Sequence, residues 1–284
     1  MISTVTAIAL STGISVSYVL GIYLHNRNSH FPRDSPVTIR NRIKSVSIVT
    51  LANIILVPLV LCWLDPYYTL PQAFSRLGLI PGASLHFGFE SLVSSVGDVF
   101  KCWLLLAVLY IGPILDYTLF DRKYAMADFR DNFTTLIGVR NHIVAPITEE
   151  LVYTSCILNV CLLANMTLQN MIVYTPLLFG VAHLHHGWEM HQAGGTLRKI
   201  AVICTFQMAY TSVFGMLTNF IFLRTGSVWC CVVVHGFCNL MSFPSHDVSP
   251  KYGWGYAYYG LLVFGIYGFR HGLYPLTASE GALI

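Results

Sequence analysis

From Ile2 to Arg270 the chain alternates long apolar stretches with short polar ones. A helix rises about 1.5 Å per residue, so crossing about 30 Å of hydrocarbon takes about 20 residues. Stretches of that kind predict transmembrane helices at 2–24, 45–65, 98–120, 142–164, 168–184, 200–222, 226–243 and 253–270. Between Pro66 and Val96 the pattern is interrupted by Pro and Gly, which predicts an interfacial or re-entrant helix.

Composition turns this pattern into a class. Of 284 residues 55% are hydrophobic and only 10% charged, and mean hydropathy is +0.62. A soluble domain carries about 25% charged residues. The expectation is an all-α, polytopic protein of about eight transmembrane helices embedded in the lipid bilayer. Without internal repeats or low-complexity segments, residues 1–284 form a single transmembrane domain. The eight cysteines contain no C-x-x-C pair and lie in apolar runs, as small buried hydrophobes do. The first segment lacks a basic start and a small-residue cleavage site, so it is expected to stay as an anchor.

Loop charge then orients the chain. With the amino terminus outside the cytosol, 12 of the 16 Lys and Arg residues fall on the cytosolic side, among them Arg33, Arg42, Arg140 and Arg198. Of the two N-x-S/T sequons, Asn132 would be cytosolic and Asn165 lies almost at the membrane, so neither suits glycosylation. The net charge of +3 is a loop effect and points to no nucleic acid.

Against that background a few polar groups stand at bilayer depth, where ionisable side chains are costly and normally face a partner. Glu149 and Glu150 interrupt the fourth span in "VAPITEEL"; Glu149 lies roughly 10 Å from its cytosolic start. His183 ends the fifth span, four residues after Phe179 in "FGVAH". His235 and Asn239 in "HGFCN" share one helical face in the last turns of the seventh. Three helices thus bring polar groups to one depth on the cytosolic side. Glu149 and Glu150 diverge by about 100° on a regular helix, so one would act chemically and the other support it. Asp116, near the end of the third span, reads as a structural or interfacial acid. The segment "HLHHGWEMHQAGG" reads as a solvated amphipathic loop, with a metal site as the alternative.

A carboxylate beside an imidazole can activate water, while a second imidazole and an amide can donate to a developing oxyanion. That is a hydrolase needing no covalent intermediate, no metal and no cofactor. Zinc held by Glu149, His183 and His235 is a competing assignment, although the helical H-E-x-x-H pair is missing. A proton relay in a carrier is another. No G-x-S-x-G is present, and Cys156 has no basic surroundings, so a nucleophilic mechanism has less support.

The motifs "APITEELVY", "FGVAHLHH" and "VVVHGFCNLMSFP", in that order across about residues 140–245, resemble the type II CAAX prenyl proteases, the Ras-converting branch of the CPBP family of glutamate intramembrane proteases. The resemblance implies that 140–245 is the catalytic core. Glu149 and His183 would activate water, His235 and Asn239 would stabilise the oxyanion, and Glu150, Thr154 and Phe179 would support them. The implied substrates are farnesylated or geranylgeranylated CAAX proteins, Ras-like and other small GTPases among them. They would be cut after the prenylated cysteine at the endoplasmic reticulum membrane, with the active site facing the cytosol. A lipid anchor in the cytosolic leaflet would bring the bond to the depth of the four polar groups. One position departs from the family pattern: its Arg falls at Thr154. The charge on Glu150 then needs another donor, such as a histidine, or a proton; a catalytically dead binding protein is a further reading.

Overall fold

The computed structural model describes residues 2–24, 32–81, 89–120, 122–245, 248 and 253–284. Among them there is no strand. The helices are α1 (Thr4–Tyr23), α2 (Pro36–Leu64), α3 (Leu70–Ser75), α4 (Phe89–Leu109), α5 (Ile111–Phe120), α6 (Arg122–Thr134), α7 (Leu136–Leu163), α8 (Pro176–Ala182), α9 (His185–Gln192), α10 (Leu197–Thr225), α11 (Val228–Met241) and α12 (Trp254–Leu276). Five of these, α1, α2, α4, α7 and α10, are each long and apolar enough to cross a membrane, giving a multi-pass, all-α membrane protein.

The bundle is built around α7. Its apolar window is 72% buried, against 22–39% for the other four, so α7 is the central helix and the rest shield it. The outer faces carry Val5, Ile8, Leu51, Leu59, Val202 and Val263, all exposed, as a lipid solvent favours. Inner faces use small residues that let backbones approach. On α1 the buried stripe is Ala7, Ser11, Ile14, Ser15, Tyr18 and Gly21, and a Cβ on Gly21 would stand 2.8 Å from Val49 of α2. Ser3 and Ser35 cap α1 and α2, each accepting from the backbone N–H three residues on.

Every predicted span is helical, with shifted ends. The second begins nine residues early, at Pro36, because Ser35 and Pro36 supply a cap and a first-turn proline that the apolar run does not include. The third splits near Tyr110, where Pro113 cannot donate to the Leu109 carbonyl. The fifth and seventh are short: a π-helical turn at Asn170–Tyr174 with α8, and the 14-residue α11.

The 66–96 segment enters the core rather than lying only on the surface. After α3, four consecutive carbonyls are each bonded by the central helices: Arg76 by Asn159 Nδ2 (2.9 Å), Leu77 by Ser155 Oγ (2.7 Å), Gly78 by the Val228 N–H (3.2 Å) and Leu79 by Trp229 Nε1 (2.7 Å). Leu77 is fully buried, and Gly78 adopts φ +66° against the Gly226 carbonyl, a conformation that favours glycine. Irregular backbone at this depth is stable because protein donors replace the missing water. Residues 82–88 of that segment lie outside the described residues.

All eight cysteines are free thiols, six of them buried. Asp116 accepts from Trp254 Nε1 (2.6 Å), tying α5 to α12 as a structural acid would.

Candidate active site

Two of the polar motifs sit where prolines force local π-helical winding. Pro146 and Pro176 have no N–H, and π turns at Arg140–Val144 and Asn170–Tyr174 precede them. In the first, Ala145 N–H bonds the Arg140 carbonyl, five residues back. In the second, Thr175 N–H bonds Asn170 in the same way. Each shift leaves one carbonyl whose π-helical donor would be the proline nitrogen, and side chains fill both gaps. Asn141 accepts from Asn239 Nδ2 of α11 (2.9 Å), and Met171 accepts from Asn219 Nδ2 of α10 (2.8 Å) and Thr175 Oγ1 (2.7 Å).

A third π-helical stretch, Glu150–Cys156, starts at the glutamate pair. It winds by less than the 100° per residue of an α-helix, and both carboxylates reach one imidazole. His235 Nδ1 lies 2.7 Å from Glu150 Oε1, and His235 Nε2 lies 3.8 Å from Glu149 Oε2. Glu149 and Glu150 keep right-handed helical φ/ψ, and the divergence expected from a regular helix is met by the ring, which offers Nε2 to one carboxylate and Nδ1 to the other.

Glu150 is 2% exposed and has a second partner: Thr154 Oγ1 donates to Oε2 at 2.7 Å. Thr154 is the position where the family pattern has Arg. The departure is answered by two groups together, with His235 supplying the imidazole at one carboxylate oxygen and Thr154 the hydroxyl at the other. The ring of His235 is further fixed by Phe214 (centroids 4.8 Å apart) and Phe179 (6.2 Å). Phe179 also packs edge-on to His183 at 4.8 Å and against Tyr153 at 4.9 Å.

Glu149 and His183 line a single cavity of about 130 Å³. His183 Nδ1 bonds the Phe179 carbonyl at 2.8 Å, which makes Nδ1 the protonated nitrogen and turns a basic Nε2 outward. Among the described residues no hydrogen bond joins Glu149 to His183, and the cavity volume exceeds the roughly 30 Å³ share of one water several-fold. Tyr18, Val19, Ile22 and Val46 give the cavity an apolar wall. Asn239 is exposed and bonded to Asn141, itself a cavity residue, rather than lining the cavity.

At the rim the structure departs from the expected solvated loop. The segment after His183 folds into α9, His185 and His186 line the cavity, and Glu189 is bound by Arg42 (2.6 Å) with Arg33 at 3.8 Å. Burial would raise the Glu189 carboxyl, but His186, Arg42 and Arg33 outweigh it and hold it at about 2. Burial, with His186 beside it, lowers His185 to about 4, so it is neutral at pH 7. Among the described residues, the group of three metal-type ligands that converges within 4.8 Å is His185, His186 and Glu189; Glu149, His183 and His235 do not form such a group. Arg42, Arg140 and Glu189 went unremarked in the sequence as site residues. Each is an ordinary loop charge until the fold turns it to the cavity.

The fold and the site define a class: a helical membrane protein with carboxylates and imidazoles at a cavity large enough for several waters, the parts of a hydrolase. The chain belongs to the CAAX prenyl protease 2 family. It is 35% identical to CAAX prenyl protease 2 of Saccharomyces cerevisiae, over 94% of this chain and 95% of that protein. It is 33% identical to the protein of that name from Homo sapiens, over 82% of this chain and 69% of the other. The family model "Type II CAAX prenyl endopeptidase Rce1-like" matches residues 131–241, the stretch that holds Glu149, His183, His235 and Asn239. No solved structure matches.

Proposed function

We propose that the protein is an endopeptidase that removes the C-terminal tripeptide from prenylated CAAX proteins, with Glu149 as the base. The observation that carries this reading is the shared cavity of Glu149 and His183, with His235, itself outside the cavity lining, held against both glutamates. Family membership supports it independently.

Glu149 and the Nε2 of His183 hold a water between them and take its proton as it attacks the carbonyl of the prenylated cysteine. Thr154 fixes Glu150, and Glu150 fixes the direction of His235, so that Nε2 faces the reacting centre. His235, protonated at both nitrogens between the two glutamates, donates from Nε2 to the oxyanion together with the second amide N–H of Asn239, while the first N–H keeps α7 and α11 in register through Asn141. Proton return to the leaving amine frees the tripeptide. Residues 140–245 make up this machinery within a single 1–284 unit.

The substrates are farnesylated or geranylgeranylated CAAX proteins, including Ras-like and other small GTPases. The enzyme works in the endoplasmic reticulum membrane with its cavity open to the cytosol. Support for the orientation comes from Arg33, Arg42, Arg140 and His186. They belong to three stretches that loop charge assigns to the cytosol, and all line this cavity.

A carrier using the same Glu and His would need a gradient. Protein reconstituted in liposomes with equal pH and salt on both sides is expected to release the tripeptide from a farnesylated CAAX peptide, read by mass spectrometry. Release that appears only under an imposed gradient, or transport without release, contradicts the peptidase.

A further inference from the structure

The cavity is electrically lopsided. Glu149 and His183 line it, and so do three guanidiniums, Arg33, Arg42 and Arg140. Two carboxylates answer them: Glu189 takes Arg42 and Arg33, and Asp34 takes Arg140 Nη1 at 2.8 Å. The third carboxylate, Glu149, stands at the inner end of the cavity, so with His185 neutral the rim itself sets three guanidiniums against two carboxylates. Arg42 and Arg140 are also mostly sheltered, their side chains 15% and 16% exposed, whereas Arg33 is 49% exposed. Among the described residues the Nε of Arg42 is buried with no hydrogen-bond partner. Buried guanidinium N–H groups are normally bonded, so this N–H is open to an acceptor that Glu189, whose Oε2 also has no hydrogen bond among these residues, does not supply.

Distance supplies the next constraint. Arg140 and Glu149 lie on the same helix nine residues apart, which is about 13 Å of rise, slightly less across the π turn. An extended tripeptide spans about 10 Å from its first nitrogen to its terminal carboxylate. A peptide whose scissile bond sits at Glu149 and whose tail runs toward the rim ends its chain among these arginines. Arg is also the side chain whose planar fork suits a carboxylate.

We infer that Arg42 and Arg140 form a receptor for the free α-carboxylate of the substrate's last residue, so that the site measures three residues from the chain end to the cut. The inference rests on the peptidase reading and adds to it a reason why cleavage is fixed at one bond. Arg33, at the rim, contributes attraction rather than a fixed contact.

The test uses full-length protein in liposomes and two farnesylated CAAX peptides of one sequence, ending in a free acid or a primary amide. Wild type is expected to favour the acid by about tenfold or more in kcat/KM, mostly through KM. Arg140→Gln and Arg42→Gln should each reduce that ratio below about threefold by weakening the acid peptide alone, and Arg42→Lys should restore part of it. Equal cleavage of acid and amide by wild type overturns the inference while leaving the peptidase intact. Variants that lose both peptides equally also overturn it, since that is the signature of a merely structural role. A wild type that cuts neither peptide overturns the peptidase reading, and the receptor falls with it.

Discussion

Glu150 is held by two donors, Thr154 at 2.7 Å and His235 Nδ1 at 2.7 Å, and those bonds set the direction of the imidazole beside Glu149. Removing the hydroxyl in Thr154→Val leaves one buried carboxylate oxygen short of a donor, at a cost of about 1–3 kcal/mol. The variant is expected to melt earlier in detergent and to lose kcat with little change in KM, whereas Thr154→Ser keeps both. Unchanged melting in Thr154→Val would mean that His235 alone suffices. At the rim, the Glu189 carboxyl is depressed from 4.5 to about 2. Its contribution to stability is therefore complete above about pH 4.5 and is lost as pH falls toward 2. Melting temperature should drop more steeply between pH 5 and pH 3 in wild type than in Glu189→Gln; parallel curves would refute the ion pair. At this scale the sequence was legible where a polar residue stood in an apolar run, as with Glu149, His183 and His235. It was silent on Thr154 as a donor and on Arg42, because a hydroxyl inside a helix and a charge in a loop are both unremarkable until packing gives them partners.

At the scale of elements, backbone irregularity recurs at the site, and polar side chains repair it. Asn219 and Asn239 do the same job at two π turns, bonding carbonyls that face a proline nitrogen, but only Asn239 has a part in the proposed mechanism. Asn219→Leu is expected to lower stability by about 1–3 kcal/mol with kcat close to wild type, and Asn239→Leu to lower both stability and kcat. Denaturation in detergent beside peptide cleavage separates the two, and an Asn239→Leu protein of undiminished kcat would leave the residue a purely structural role. The 76–79 turn offers a second check. Gly78 combines a positive φ with close approach to Gly226, so Gly78→Ala should destabilise by about 2 kcal/mol or more. Helix positions and the break between Pro66 and Val96 were visible in the sequence, since hydropathy and Pro/Gly punctuation are local. The π winding was not, because a single extra residue in a turn does not disturb an apolar run; neither was the depth of the 76–79 turn, which depends on donors as distant as Asn159 and Trp229.

For the whole molecule, one central helix carries the glutamates and Arg140, and the rest of the chain brings His183, His235, Arg33 and Arg42 to it. The cavity wall recruits from three stretches that loop charge assigns to one side, so orientation and activity are linked. A cysteine placed at Gly194, in the turn between α9 and α10, is expected to react with an impermeant thiol reagent from the cytosolic face of sealed microsomes; labelling only after the membrane is opened would invert the topology. The central claim is that Glu149 activates water. Its most direct test is tripeptide release from a farnesylated CAAX peptide by purified protein in liposomes. Wild type and the near-isosteric Glu149→Gln are compared with and without a strong zinc chelator. The glutamate mechanism predicts release by wild type that survives the chelator and falls by about 10²-fold or more in Glu149→Gln. Wild-type release abolished by the chelator and restored by zinc, or a folded Glu149→Gln protein that cuts normally, would contradict it.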